Sequence, residues 1–228
     1  MLSIPQYRQL LDHIGMRLTA DEHGKSTVCN IYLDTENYLL IRNSISAIAY
    51  KEKLRIRSYG TPKPSDRVFL EIKKKYKGVV YKRRVSATLR EVMEYVKTGE
   101  KWMDSQIMRE IDYAMHCYGH IRPAVVLSYE REAFYETESP SLRLTFDTNV
   151  RYRTDDLDME HGTYGKTILS EDTVLMEVKT NGAMPLWLSH ALDECGIFPT
   201  SFSKYGTAYR EFSAKKESVT EKGELVYV

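Results

Sequence analysis

The stretch Val68 to Arg84, VFLEIKKKYKGVVYKRR, limits the folds open to this chain more than any other. A strand has a side-chain period of two, so Val68, Leu70, Ile72 and Lys74 fall on one face and Phe69, Glu71, Lys73 and Lys75 on the other. One face is mostly apolar; the other carries a carboxylate and two ammonium groups. A second run, Val79 to Val85, follows Gly78 and ends in Lys82, Arg83 and Arg84. Lys77-Gly78 fits a tight turn, so the segment reads as a β-hairpin with cations on both arms.

The same arrangement recurs along the chain. Lys51 to Tyr59 sets Lys53, Arg55 and Arg57 against Leu54, Ile56 and Ser58. Ala124 to Thr137 sets Val125, Leu127, Tyr129 and Arg131 against Val126, Ser128, Glu130 and Glu132, sorting acid away from Arg131. Ser141 to Val150 sets Arg143, Thr145 and Asp147 against Leu142, Leu144 and Phe146, and Asp172 to Thr180 sets Leu175, Glu177 and Lys179 against Val174, Met176 and Val178. Helices are predicted over Ile4 to Leu18, Ser86 to Lys97, Asp104 to Tyr118 and Pro185 to Cys195, and a final helix or turn over Ser201 to Phe212. Thr27 to Leu33 reads as a further strand, and Asp34 to Arg42 as a short helix or turn that Asp34 caps.

The bland account of this alternation is an antiparallel sheet with one solvated face. The sharper account is a barrel with a cation-lined interior, tolerable only if a polyanion or water neutralises it. The polar faces are rich in Arg and Lys, and Glu71-Ile72-Lys73 and Glu177-Val178-Lys179 each put a carboxylate beside a lysine on one face. Phosphate chains suit such a lining: guanidinium groups bind their oxygens in pairs, and a few carboxylates can hold a bridging divalent metal. The formal net charge is only +1, so the cations are local rather than spread over the domain, which excludes a general nucleic-acid binder. Cys29, Cys117 and Cys195 form neither a disulfide framework nor a paired zinc motif, which points to a cytoplasmic location. There is no signal peptide and no apolar run of about 20 residues, so direct membrane insertion is not expected.

Six segments in order, KLRIRSYG, VFLEIKKKYKGVVYKRR, SYEREAF, LRLTFDTNV, LMEVKTNG and SFSKYGTAYRE, resemble the VTC-type polyphosphate polymerase catalytic domain. That domain is a branch of the triphosphate tunnel metalloenzymes related to the CYTH phosphatases. The likeness runs from about Asn30 to Phe212. It implies an α+β fold, an eight-stranded antiparallel tunnel barrel with flanking helices, as a single domain over 1–212 with a charged tail over 213–228. It further implies transfer of the γ-phosphate of ATP onto polyphosphate, with Mn²⁺ or Mg²⁺ as cofactor and a membrane protein as a further partner. By motif match, Arg55, Arg57, Lys73, Lys82, Arg131, Arg143, Lys179 and Lys204 would contact phosphates, and Tyr129 would donate its hydroxyl. Glu177 and Glu71 would bind the metal. Lys53, Lys75 and Arg84 join them by parity, and Tyr205 as the neighbour of Lys204 in the last motif. A metal-dependent tripolyphosphatase and a non-catalytic phosphate-chain sensor use the same cradle and remain open at this level.

The family begins with a strand bearing an alternating Glu and Lys, and this chain starts at Met1-Leu2-Ser3-Ile4 without it. The only uncommitted β-prone segment, Glu224 to Val228, with Lys222 ahead of it, is the candidate to pair into that gap. Other signals carry less. Gly162 to Thr167 ends like a P-loop but has Glu160 where the first glycine belongs, and reads as an ordinary loop. His116 and His120 lie four apart on a helix with no third ligand in view. Trp102 and Trp187 fall in helical stretches and read as core. No nucleophile and base arrangement is evident, and phosphoryl transfer by positioning and charge neutralisation needs none.

Overall fold

A computed structural model describes the chain apart from residues 47, 139–140 and 224–228; the side chains of residues 23 and 215–223 are likewise not described. The chain builds β1 (Leu2–Ser3), α1 (Ile4–Ile14), β2 (Leu18–Asp34), α2 (Leu39–Ile45), β3 (Tyr50–Tyr59), β4 (Arg67–Tyr76) and β5 (Val79–Thr88). Then come α3 (Leu89–Thr98), α4 (Gln106–Tyr118), β6 (Arg122–Glu136), β7 (Leu142–Arg153), β8 (Lys166–Thr167), β9 (Thr173–Thr180), α5 (Leu186–Glu194) and α6 (Lys204–Gly223). All pairings are antiparallel, in the order β1-β9-β7-β6-β2-β3-β4-β5, with β8 added to β7. This is the α+β architecture with flanking helices that the resemblance implied.

One face of the curved sheet carries the aliphatic half of each strand. Ile31, Leu33, Leu54, Ile56, Leu70, Ile72 and Val85 pack there against Val92 and Tyr95 of α3 and Met108 and Ile111 of α4. Leu142, Leu144, Phe146 and Val174 pack against Leu10 and Ile14 of α1 and Leu188 and Ala191 of α5. Each such aliphatic side chain contributes about 1.5–3 kcal/mol on leaving water, which holds the helices on this outer face. The helices have local reasons to start where they do. Thr88 and Glu91 form a reciprocal capping box on α3, as Ser3 and Gln6 do on α1. The β4–β5 turn is made by Lys77 and Gly78 at φ 46° and 88°, the double left-handed geometry of a two-residue hairpin.

Four features differ from the sequence reading. The barrel is not closed by hydrogen bonds: among the described residues no ladder joins β5 to β9 or β1. A two-residue strand that the sequence reading did not expect precedes α1: Leu2 and Ser3 pair with Val174 and Thr173 of β9. The strand expected over Thr27 to Leu33 is far longer, because α1 ends at Ile14 and the chain re-enters the sheet at Leu18. Its first half was hidden by polar residues and by a break in register with β6 between Ala20 and Lys25, which destroys the period of two. Finally, α6 continues past Phe212 to Gly223; the pairing expected of Glu224 to Val228 lies outside the described residues. No helix among the described residues is long and apolar enough to cross a membrane.

Candidate phosphate-binding cavity

Directly paired residues of an antiparallel sheet share a face, and the register therefore sorts the polar side chains. Arg57, Arg55 and Lys53 of β3 lie opposite Phe69, Glu71 and Lys73 of β4, and Glu71 and Lys73 lie opposite Arg84 and Lys82 of β5. Across the sheet Arg131 pairs with Asp147, and Glu177 and Lys179 with Thr145 and Arg143. All of these point to the concave side. There a cavity of about 500 Å³ is lined by eight cations, Lys53, Arg55, Arg57, Lys73, Lys82, Arg131, Lys179 and Lys204, together with Tyr32, Tyr129 and Glu177. Although β5 and β9 are not bonded to each other, both line it.

Lys204 comes from the start of α6, and its placement is built from the core outward. Asp34 accepts from the backbone N–H groups of Leu40 and Ile41 at 2.8 and 3.0 Å, which fixes α2, and from the Tyr205 hydroxyl at 2.9 Å. Tyr205 stacks on Tyr32 with ring centroids 4.4 Å apart. With Tyr205 buried this way, its neighbour Lys204 is turned into the cavity, where its ammonium lies 2.6 Å from Asp147 Oδ2 and 3.2 Å from Glu177 Oε1. Gly206 has a packing reason: a Cβ there would meet Ile45 Cγ2 and Ser203 Oγ at 3.1 Å. Ser203 Oγ accepts from Lys53 Nζ at 3.0 Å and from the Gly206 N–H at 3.1 Å, so the start of α6 is tied to β3.

The charges form two nests. In the first, Glu71 is buried and both its oxygens are engaged, Oε2 by Arg55 Nε at 2.7 Å and Oε1 by Lys82 Nζ at 3.0 Å, with Arg57 Nε at 4.0 Å. In the second, Asp147 takes a bidentate pair from Arg131 at 2.6 and 2.7 Å and the Lys204 ammonium. Glu177 stands beside this nest, 3.8 Å from Arg131 and 4.0 Å from Lys179, with 39% of its side chain exposed. Tyr129 joins the two, accepting from Arg57 Nη2 at 3.2 Å while its ring lies beneath Arg131 and Lys204.

Burial opposes ionisation of Glu177, but Lys204, Arg131 and Lys179 outweigh it and hold its carboxyl down at about 2. Burial likewise opposes a phenolate at Tyr32, yet Arg55, Lys53 and Arg57 bring its pKa down to about 8. The ammonium pKa values of Lys53, Lys82 and Lys179 are lowered, first by burial and then by neighbouring cations that their anionic partners only partly offset. Positive charge is therefore in excess in a confined space, and a bound polyanion would relieve it.

Of the residues singled out in the sequence, the cavity gathers Lys53, Arg55, Arg57, Lys73, Lys82, Tyr129, Arg131, Glu177, Lys179 and Lys204. Glu71 lies in its wall beneath the cations. Lys75 is exposed one pair further toward the β4–β5 turn, opposite Val80. Arg84 and Arg143 line a separate compartment further along the same face, and Tyr205 faces Asp34 in the core. Sequence reasoning missed Asp147, Tyr32, Asn30 and Ser203. Asn30 Oδ1 accepts from Arg57 Nε at 3.0 Å, and Tyr32 hydroxyl from Arg55 Nη1 at 3.3 Å. The signal was available, since Asn30 and Tyr32 alternate along β2 as the cations do along β3, and Asp147 has the parity of Arg143. Trp102 packs against Tyr95, and among the described residues no group of three His, Cys, Asp or Glu could by itself hold a metal ion.

The fold is shared with solved structures at low identity. A candidate adenylate cyclase of Bacillus halodurans superposes with a TM-score of 0.54 at 12% identity, covering 89% of this chain and 90% of that one. HpAC1 of Hippeastrum, a candidate adenylyl cyclase described as having a dominant triphosphatase activity, gives 0.55 at 17% identity over 90% of each chain. At such identities the likeness is one of fold alone. No curated protein matches the chain in sequence. The family model for the VTC domain matches residues 3–213, nearly the full length, and the chain belongs to the VTC-domain family.

Proposed function

We propose that this chain is an ATP-dependent polyphosphate polymerase. The observation that carries the proposal is the convergence of eight cations from β3, β4, β5, β6, β9 and α6 on one cavity with a half-exposed carboxylate at its side. A terminal oxygen of the acceptor chain attacks the γ-phosphorus of ATP, the bond to the β,γ-bridging oxygen breaks, and ADP leaves. Acceptor and donor are both polyanions that repel each other, so the protein's task is to hold them in line and neutralise the charge they share. Arg131, pinned by Asp147, and Arg55, pinned by Glu71, offer preoriented guanidinium groups; Lys53, Lys73, Lys82, Lys179 and Lys204 act as point charges.

Mg²⁺ and Mn²⁺ are hard ions that one or two carboxylates and substrate phosphates suffice to hold. Glu177 fits that part, being ionised and open to the cavity, whereas Glu71 is closed off in the wall beneath Arg55 and Lys82. When bound, the ion would neutralise charge on the transferred phosphoryl group.

A second reading, a tripolyphosphatase with water as acceptor, draws support from the triphosphatase activity described for the Hippeastrum protein of the same fold. Incubation with ATP and Mn²⁺ or Mg²⁺ separates the readings. Long-chain polyphosphate with ADP supports the polymerase, orthophosphate alone supports the hydrolase, and tight triphosphate binding without turnover overturns both in favour of a sensor.

A further inference from the structure

The concave face does not end at the central cavity. Arg143 lies four residues along β7 from Asp147, about 14 Å at the rise of an extended strand, and is paired in register with Lys179, which lines the central cavity. Tyr135 on β6 is Arg143's register partner on the other side. Here a second compartment of about 410 Å³ opens, lined by Asp21, Glu22, Tyr59, Arg84, Tyr135 and Arg143. A phosphate chain passing Lys179 would meet this compartment next.

The electrostatics change between the two. The central cavity sets eight cations against a single lining carboxylate, while the distal compartment sets two cations against two carboxylates. Asp21 Oδ2 accepts from Arg143 Nη2 at 2.9 Å, and the Asp21 side chain is only 11% exposed. The Arg143 guanidinium lies over the Tyr135 ring at 5.0 Å, and Arg84 over Phe69 at 4.7 Å, which orients both. Asp21 and Glu22 are carried by the segment of β2 that leaves register with β6 between Ala20 and Lys25.

We infer that Asp21 and Glu22 act as an acidic stop that biases the cavity toward short phosphate chains. A chain that reaches Arg143 must compete with the Asp21 carboxylate on Nη2 or lie beside it, an unfavourable like-charge contact that a triphosphate confined to the central cavity never makes. In the polymerase reading the stop weakens the hold on a lengthening product without capping it; in the hydrolase reading it favours short substrates. The inference rests on the central cavity being a phosphate-chain site.

The test is competition binding with tripolyphosphate and with long-chain polyphosphate on wild type, Asp21→Asn, and Asp21→Asn combined with Glu22→Gln. Asparagine keeps the size of Asp21 and removes its charge. The double variant should bind the long chain about tenfold more tightly, equivalent to 1.4 kcal/mol, with tripolyphosphate changed by less than about twofold. Asp21→Ser, a smaller uncharged replacement, should move the ratio in the same direction, so misfolding of one variant does not decide the matter. If tripolyphosphate binds and the ratio of affinities stays put in all folded variants, the stop is overturned while the cavity reading stands. If wild type binds neither anion, the cavity reading falls and the stop with it.

Discussion

Glu71 and Glu177 sit in near-identical local sequences, Glu-Ile-Lys and Glu-Val-Lys, with the same parity, yet the fold treats them differently. Glu71 is on β4, inside the sheet, where β3 supplies Arg55 and Arg57 and β5 supplies Lys82; its side chain is 2% exposed. Glu177 is on β9, whose pairing with β1 ends at Val174, so from Leu175 onward it has a described strand neighbour on one side only. Its side chain stays 39% exposed. A carboxylate with cationic strands on both flanks becomes part of the wall, and one at an open edge remains available to a ligand. The place of a strand in the sheet, rather than the motif it carries, separates a structural acid from a functional one.

The sharpest way to break this comparison is to neutralise each acid in turn. Glu71→Gln leaves Arg55, Arg57 and Lys82 crowded around a neutral group and should cost about 3–5 kcal/mol of stability, the usual penalty for removing one partner of a buried ion pair. Urea unfolding measures it, and a loss under 1 kcal/mol would mean that Glu71 is not the keystone of its nest. Glu177→Gln should cost measurably less stability than Glu71→Gln at neutral pH, its side chain being 39% exposed, but lower metal-dependent turnover by about a hundredfold, roughly 2.7 kcal/mol, with nucleotide affinity within about tenfold. Undiminished turnover would remove Glu177 from the proposed metal site. The pH dependence has a definite sign. Because the folded carboxyl is held at about 2 against an ordinary 4.5, its contribution to stability is complete above about pH 4.5 and disappears as the pH falls toward 2. The difference in stability between wild type and Glu177→Gln should shrink over that window.

Smaller effects sharpen the same contrast. Arg55 serves both the wall and the cavity, so Arg55→Ala should weaken tripolyphosphate binding by about 1.5–3 kcal/mol in calorimetry. A loss of a few tenths would make it purely a partner of Glu71. Tyr32 provides the mildest test. An ultraviolet titration should show one tyrosinate with a midpoint of about 8, absent in Tyr32→Phe. Triphosphate affinity of wild type should then fall by about two- to fivefold from pH 7 to 9, since a new anion beside Arg55 competes with the ligand. An unchanged affinity across that range in wild type would place Tyr32 outside the ligand's field.

Much of this was legible in the linear chain, because strand parity is a property of the backbone alone. Alternation at Lys53, Arg55 and Arg57, at Glu71 and Lys73, and at Glu177 and Lys179 assigned these side chains to one face without reference to any partner. The Lys77-Gly78 turn and the Thr88 and Glu91 capping box are equally local. What parity does not carry is position along and across the sheet. Tertiary structure alone decided that Arg143 and Arg84 belong to a second compartment, that Tyr205 serves Asp34 while its neighbour Lys204 reaches Asp147, and that β2 begins at Leu18 through an irregular stretch. It also decided which carboxylate is enclosed and which is open, because burial and ion pairing are set by strands distant in sequence.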